Sequence, residues 1–135
     1  MANGFYTDFK RSLQNKEQDM DTDDIRALLI DDADYTHNAN QDFLDDIPGG
    51  ARVAVSGALA GATISSVGGF DTNDFSWATV SGDVSERVSI YNHGVGGSDA
   101  ARRLCAFYDT LTGLPITPNG ANINFTVHAS GWWTL

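Results

Sequence analysis

The chain of 135 residues has one cysteine, three prolines and only eight basic side chains. A lone Cys105 excludes an internal disulfide. Its place in the alternating run Leu104-Cys105-Ala106-Phe107 predicts a buried, inert thiol rather than a nucleophile. Eight Lys and Arg against eighteen Asp and Glu leave a net charge of −10. A nucleic-acid reader needs clustered cations to displace counterions from phosphates. Only the pairs Lys10-Arg11 and Arg102-Arg103 are adjacent here, so no nucleic-acid partner is expected. No apolar run approaches the ~20 residues of a membrane span, and no membrane partner is expected. The opening Met1-Ala2-Asn3-Gly4-Phe5 lacks a basic segment followed by an apolar core, so no secretory leader is expected.

What is present is an ordinary globular composition, 41% hydrophobic and 10% aromatic. The length predicts a single domain over residues 1–135. The charge is placed unevenly: residues 1–46 hold 12 acidic and 4 basic side chains, and residues 47–135 hold 6 and 4. Carboxylates are costly to bury unpaired, so the acidic third is expected to sit in water or face a basic partner.

Phe5, Phe9 and Leu13 recur at i, i+4, i+8, which predicts a helix over residues 5–17. Alone it is short, so residues 1–20 form an arm that must dock its aromatic stripe on its own sheet or on a neighbour. From Ile25 the texture turns to β. Ile25–Ile30 has the length of a buried strand, bounded by Asp23-Asp24 and Asp31-Asp32. Asp42 to Ile47 allows one helical turn before Pro48-Gly49-Gly50 stops it. Further strands are predicted at Val53–Val55, Thr63–Val67, Phe75–Val80, Val84–Tyr91, Arg103–Tyr108 and from Ile123, with Ser81-Gly82-Asp83 as a connecting turn. The stretch from Ala106 to Ile123 reads as a strand, two stacked turns and the start of another strand. In it, Asn119-Gly120 is a strong turn signal, because both residues tolerate positive φ. Short strands at roughly ten-residue spacing predict a mainly β, antiparallel sandwich or small barrel with a short N-terminal helix.

Catalytic signals are weak. Asp19-Met20-Asp21-Thr22-Asp23 opens like a calcium loop, but the sixth and twelfth positions are Asp24 and Ile30 where an EF-hand needs Gly and Glu. A solvated acidic turn is expected. Asp31, Asp32 and Asp34 with His37 form a second acidic group, in a polar stretch that gives no sign of the burial that acid–base work requires. His37, His93 and His128 lack zinc spacing. No serine sits in a G-x-S-x-G elbow, and Gly94-Val95-Gly96-Gly97-Ser98 lacks the P-loop lysine. The sequon Asn124-Phe125-Thr126 stands without a secretory signal. No metal and no cofactor are expected. The end Gly131-Trp132-Trp133-Thr134-Leu135 places Trp133 and Leu135 on one face of an extended segment. Such an end serves as an edge strand closing the core or as an aromatic anchor at an interface.

Several stretches together carry a resemblance. Ile25-Arg26-Ala27-Leu28-Leu29-Ile30-Asp31 leads through Ala33-Asp34-Tyr35-Thr36 to Phe43-Leu44-Asp45-Asp46-Ile47-Pro48. Gly49-Gly50-Ala51-Arg52-Val53, Phe75-Ser76-Trp77 and the segment Tyr108 to Ile123 follow. From about residue 20 onward the chain resembles small structural proteins encoded among the virion genes of tailed bacteriophages, of the capsid decoration (cement) type. The shared stretches are turns and strands, and they transfer no active site. The resemblance implies a non-enzymatic virion component made in the host cytoplasm and bound outside the capsid shell. Its implied partners are the major capsid protein and copies of itself, as trimers at threefold positions. On that expectation Phe5, Phe9 and Leu13 of the helix and Trp132, Trp133 and Leu135 of the C-terminus are the candidate contact residues. The alternative is a tail, baseplate or receptor-binding component, with Trp77, Trp132 or Trp133 forming a saccharide face. A lysis enzyme would have only the Asp31 and Asp34 group to draw on.

Overall fold

Apolar, β-branched and aromatic runs separated by Gly- and Asp-rich turns give a chain of short strands. The computed structural model describes residues 3–94 and 97–135. In chain order its elements are β1 (Gly4–Phe5), α1 (Thr7–Gln14), β2 (Ile25–Ile30), β3 (Arg52–Val55), β4 (Thr63–Ile64), β5 (Gly69–Asp71), β6 (Phe75–Trp77), β7 (Arg87–Asn92), β8 (Leu104–Tyr108), β9 (Ile123–Phe125) and β10 (Trp133–Thr134). Single 3₁₀ turns at Leu44–Asp46, Gly49–Ala51 and Asp99–Ala101 punctuate the loops. Among the described residues the fold is mainly β with one short helix, and every strand pairing is antiparallel.

Five strands form the main sheet in the order β1-β8-β7-β2-β3. Its ends, β1 and β3, do not pair with each other, so among the described residues the sheet is open and the barrel alternative falls away. Two smaller sheets, β10-β5-β4 and β6-β9, make the second layer. Side chains bolt that layer to the main sheet. The Trp77 indole N–H donates to the Ala27 carbonyl at 3.1 Å, and the Tyr108 hydroxyl donates to the Trp132 carbonyl at 2.8 Å. Leu28, Leu29, Ile30, Ile90 and Leu104 are fully buried between the covering segments. Each such aliphatic side chain contributes on the order of 1.5–3 kcal/mol through its removal from water.

Strand β2 forms over the residues its apolar run predicts. Others differ from the sequence expectation for physical reasons. The helix begins at Thr7, because Gly4 and Phe5 extend instead and pair with Phe107 and Ala106 at the edge of β8. It ends early because Lys16 adopts a left-handed backbone at φ 59°. Ser81-Gly82-Asp83 does not close a hairpin: β6 pairs with β9, whereas β7 lies between β2 and β8. The alternation of Val84–Tyr91 also fails to sort its residues into inside and outside, since all six residues of β7 are buried. Asn119-Gly120 does turn, with Gly120 at φ 86°. Strands β1, β5 and β10 are two or three residues long and carry no periodic signal. Of the loop 94–98, Val95 and Gly96 lie outside the described residues.

The C-terminal strand depends on one glycine. Gly131 sits at φ 80°, and a Cβ there would approach the Phe70 carbonyl oxygen to 2.5 Å. A side chain in that backbone region costs about 1–3 kcal/mol even without the overlap. Gly131→Ala is therefore expected to lower stability in urea unfolding by at least that amount and to loosen β10 from β5. An unchanged unfolding midpoint would remove Gly131 from this role.

Candidate functional site

The feature that stands apart from the closed core is an apolar notch beside α1. Register places Ile64 opposite Phe70 and Phe70 opposite Trp133, so the three side chains form one row on one face of the sheet β10-β5-β4. Helix α1 covers the Trp133 end of that row. Phe9 meets the Trp133 ring edge-on at 5.7 Å between centroids, and Phe5 does so at 5.5 Å. The helix stops before it reaches the Ile64 end. Phe9, Leu13, Met20, Ile64, Trp133 and Leu135 then line a notch of about 250 Å³, with Gln18, Asp19 and Gly68 at its margin. Ile64 is 47% exposed and Leu135 62%. Val67, in the turn after β4, is 72% exposed, and the backbone and Cβ of Leu135 lie against the neighbouring Gly68. A second recess, of about 240 Å³, opens beside it between Phe5, Tyr108, Trp132 and Trp133.

All six candidate contact residues line one or other of these recesses. They are not equal. Phe9 is fully buried and Trp132 nearly so, and both bury their apolar surface within the chain. Trp132 stacks flat on Phe125 at 5.5 Å and donates its indole N–H to the Thr72 hydroxyl at 2.9 Å. Phe5, Leu13 and Trp133 are half-buried, and Leu135 is the most exposed of the six. Ile64, Met20 and Val67 were not among the candidates. The apolar residues of the predicted strand 63–67 were the only signal for two of them. Trp77 is buried under Phe75 and Phe125, so of the three tryptophans only Trp133 keeps a part of its ring at the surface.

Charge around the notch is lopsided. All six arginines are engaged within the chain: Arg11 with Asp8 and Glu17, Arg26 with Asp24, Arg52 and Arg102 with Asp99, Arg87 with Asp32, and Arg103 with Asp8 and Glu17. The Arg26 guanidinium holds the Asp24 carboxyl below its ordinary value, and Arg52 does the same for Asp99. Asp19 and Asp21 have no such partner among the described residues. Asp21 shares a hydrogen bond with Asp19, and this crowding of two carboxyls raises its pKa.

The acidic groups singled out in the sequence separate in space. Asp23 accepts from the Asp19 N–H at 2.9 Å and the Asn92 amide at 2.7 Å, so it closes a turn instead of joining Asp19 and Asp21 in a ligand set. Asp31 and Asp34 converge with Asp83, their ligand atoms within 4.8 Å of one another. Contrary to expectation Asp31 is buried, with its carboxylate accepting the Ala33 N–H at 2.7 Å. Asp32 turns away and forms a two-pronged pair with Arg87 at 2.8 and 2.9 Å. His37 packs on the Phe107 ring at 4.3 Å, with Nδ1 3.5 Å from the Tyr35 hydroxyl. Cys105 is fully buried, and burial pushes its thiol well above the ordinary range. A wider cleft, of about 610 Å³ near Asn92, is lined by Glu17, Asp23 and Asp24, all with partners inside the chain. No nucleophile–base pair is assembled from these groups.

No protein-family model matches the chain, and no curated protein matches it. No helix among the described residues is long and apolar enough to cross a membrane.

Burial, and then the nearby Arg87 charge, lowers the His37 pKa from 6.5 to about 4. The fold therefore favours neutral His37. Its stabilisation is complete above pH 6.5 and is lost as pH falls through about 4. Urea unfolding of the wild type is expected to weaken more between pH 7 and 4 than that of His37→Gln. His93, also lowered by burial, is common to both proteins and cancels. Parallel pH profiles would rule this out.

Proposed function

We propose that this chain is a non-enzymatic structural protein of a phage virion, of the type that decorates the outside of a capsid shell and stabilises it. The observation that carries the reading is the apolar notch, which gathers Phe9, Leu13, Trp133 and Leu135 into one recess and leaves Leu135 and Ile64 open to water. A partner seated there removes exposed apolar surface and adds to stability by mass action, without chemistry at the site. The sequence resemblance from about residue 20 onward points the same way. In this reading the partners are the major capsid protein and further copies of the chain, arranged as trimers. The protein acts on the capsid surface after synthesis in the host cytoplasm and uses no cofactor.

A tail or baseplate role shares most of these features. Of the three tryptophans named for a saccharide face, Trp77 and Trp132 are buried and Trp133 alone is half-exposed, which gives that role less support. Electron microscopy of intact virions labelled with an antibody against the chain tests the choice. Label spread over the head is the expected result. Label confined to the tail would move the assignment to the adsorption apparatus, and unlabelled virions would end the virion reading altogether.

A further inference from the structure

The notch has a chemical preference that its apolar lining alone does not reveal. One margin is formed by Asp19, with Asp21 two residues on; both are exposed, and neither meets a cation among the described residues. Five of the eighteen carboxylates, Asp8, Glu17, Asp24, Asp32 and Asp99, contact arginine. Those pairings engage every arginine the chain has, which leaves Lys10 and Lys16 as the cations without an ion pair among the described residues. A second copy of the chain thus has little positive charge to offer the notch. It would also bring another net charge of −10 against the first.

We propose that the notch beside α1 receives a segment of a different protein, one that places an apolar side chain between Leu13, Ile64 and Leu135 and a lysine or arginine against Asp19 and Asp21. The apolar contact holds the segment, and the charge pair sets its direction across the notch and the rate at which it arrives. The preference for a basic flank follows from Coulomb attraction at an exposed rim, so it weakens with salt. This deepens the reading of the chain as an assembly protein. It does not require that the partner be a capsid protein.

The test uses the full chain and two short synthetic peptides, one of alternating leucine and lysine, the other of alternating leucine and glutamate. The lysine peptide is expected to shift the amide resonances of Leu13, Ile64 and Leu135, and the glutamate peptide is not. Replacing both rim acids (Asp19→Asn with Asp21→Asn) is expected to weaken that binding about tenfold. Removing the same charge elsewhere, by Asp34→Asn with Asp83→Asn, is expected to change it by no more than about twofold. Ile64→Asp should abolish it, and its unfolding midpoint reports whether the fold survives. Equal losses from the two charge pairs, shifts confined to other surfaces, or equal binding of both peptides would each overturn the proposal. So would self-association of the chain that Ile64→Asp abolishes, because the occupant would then be a second copy. Unlabelled virions with intact peptide selectivity would sink the virion reading and leave this one standing.

Discussion

Strand β7 is sealed on both faces, and each polar group it carries inward has to be met from another part of the chain. Ser89 takes the Tyr6 hydroxyl at 2.9 Å, Arg87 takes Asp32, and the Asn92 amide reaches Gln18 and Asp23. All four partners lie in the acidic first third of the sequence. A buried polar group left without its partner costs on the order of 1–3 kcal/mol, and a buried charge more. The N-terminal segment is therefore held in place by the strand it covers. Its negative charge is partly a consequence, since Arg87 at 3% exposure needs a carboxylate beside it. The Arg87 guanidinium also lies 5.9 Å from the centre of the Phe107 ring, so it is met on two sides.

The same requirement explains which parts of the fold were legible in the sequence. Strand β2 could be read because five of its six residues are apolar and acidic pairs bracket it. The turn at Gly120 could be read because its dipeptide has few other uses. Strand β7 could be placed but not understood. Arg87, Ser89 and Tyr91 look like a solvent-facing set, and only the covering loops make them interior. That covering is a long-range pairing, which single-chain periodicity does not encode. Strands of two or three residues, such as β1 and β5, hold too few positions for any period to appear.

The two recesses were legible by half. Apolar residues near the two ends stood out, and they do border the recesses, but Phe9 and Trp132 complete the core. The notch exists because Lys16 stops the helix while the row Ile64–Phe70–Trp133 continues beyond it. Neither event predicts the other. Met20 and Ile64 therefore were not marked as contact residues in the sequence, although they wall the recess. The arginines are clearer in retrospect. Their scarcity was the ground for expecting no nucleic-acid partner, and their complete internal engagement leaves none to meet the Asp19–Asp21 rim.

The notch stands on unequal walls. Helix α1 is tied down through Phe9, whereas β4 and β10 each contribute only two residues to a three-stranded sheet. In the five-stranded sheet, β2 and β7 pair along six rungs, so opening that ladder amounts to unfolding the domain. Opening β4 or β10 breaks only a few backbone bonds. The recess can breathe while the centre of the molecule stays shut, and an occupant bridging α1 to β4 would act as a missing rib for the weakest edge of the fold.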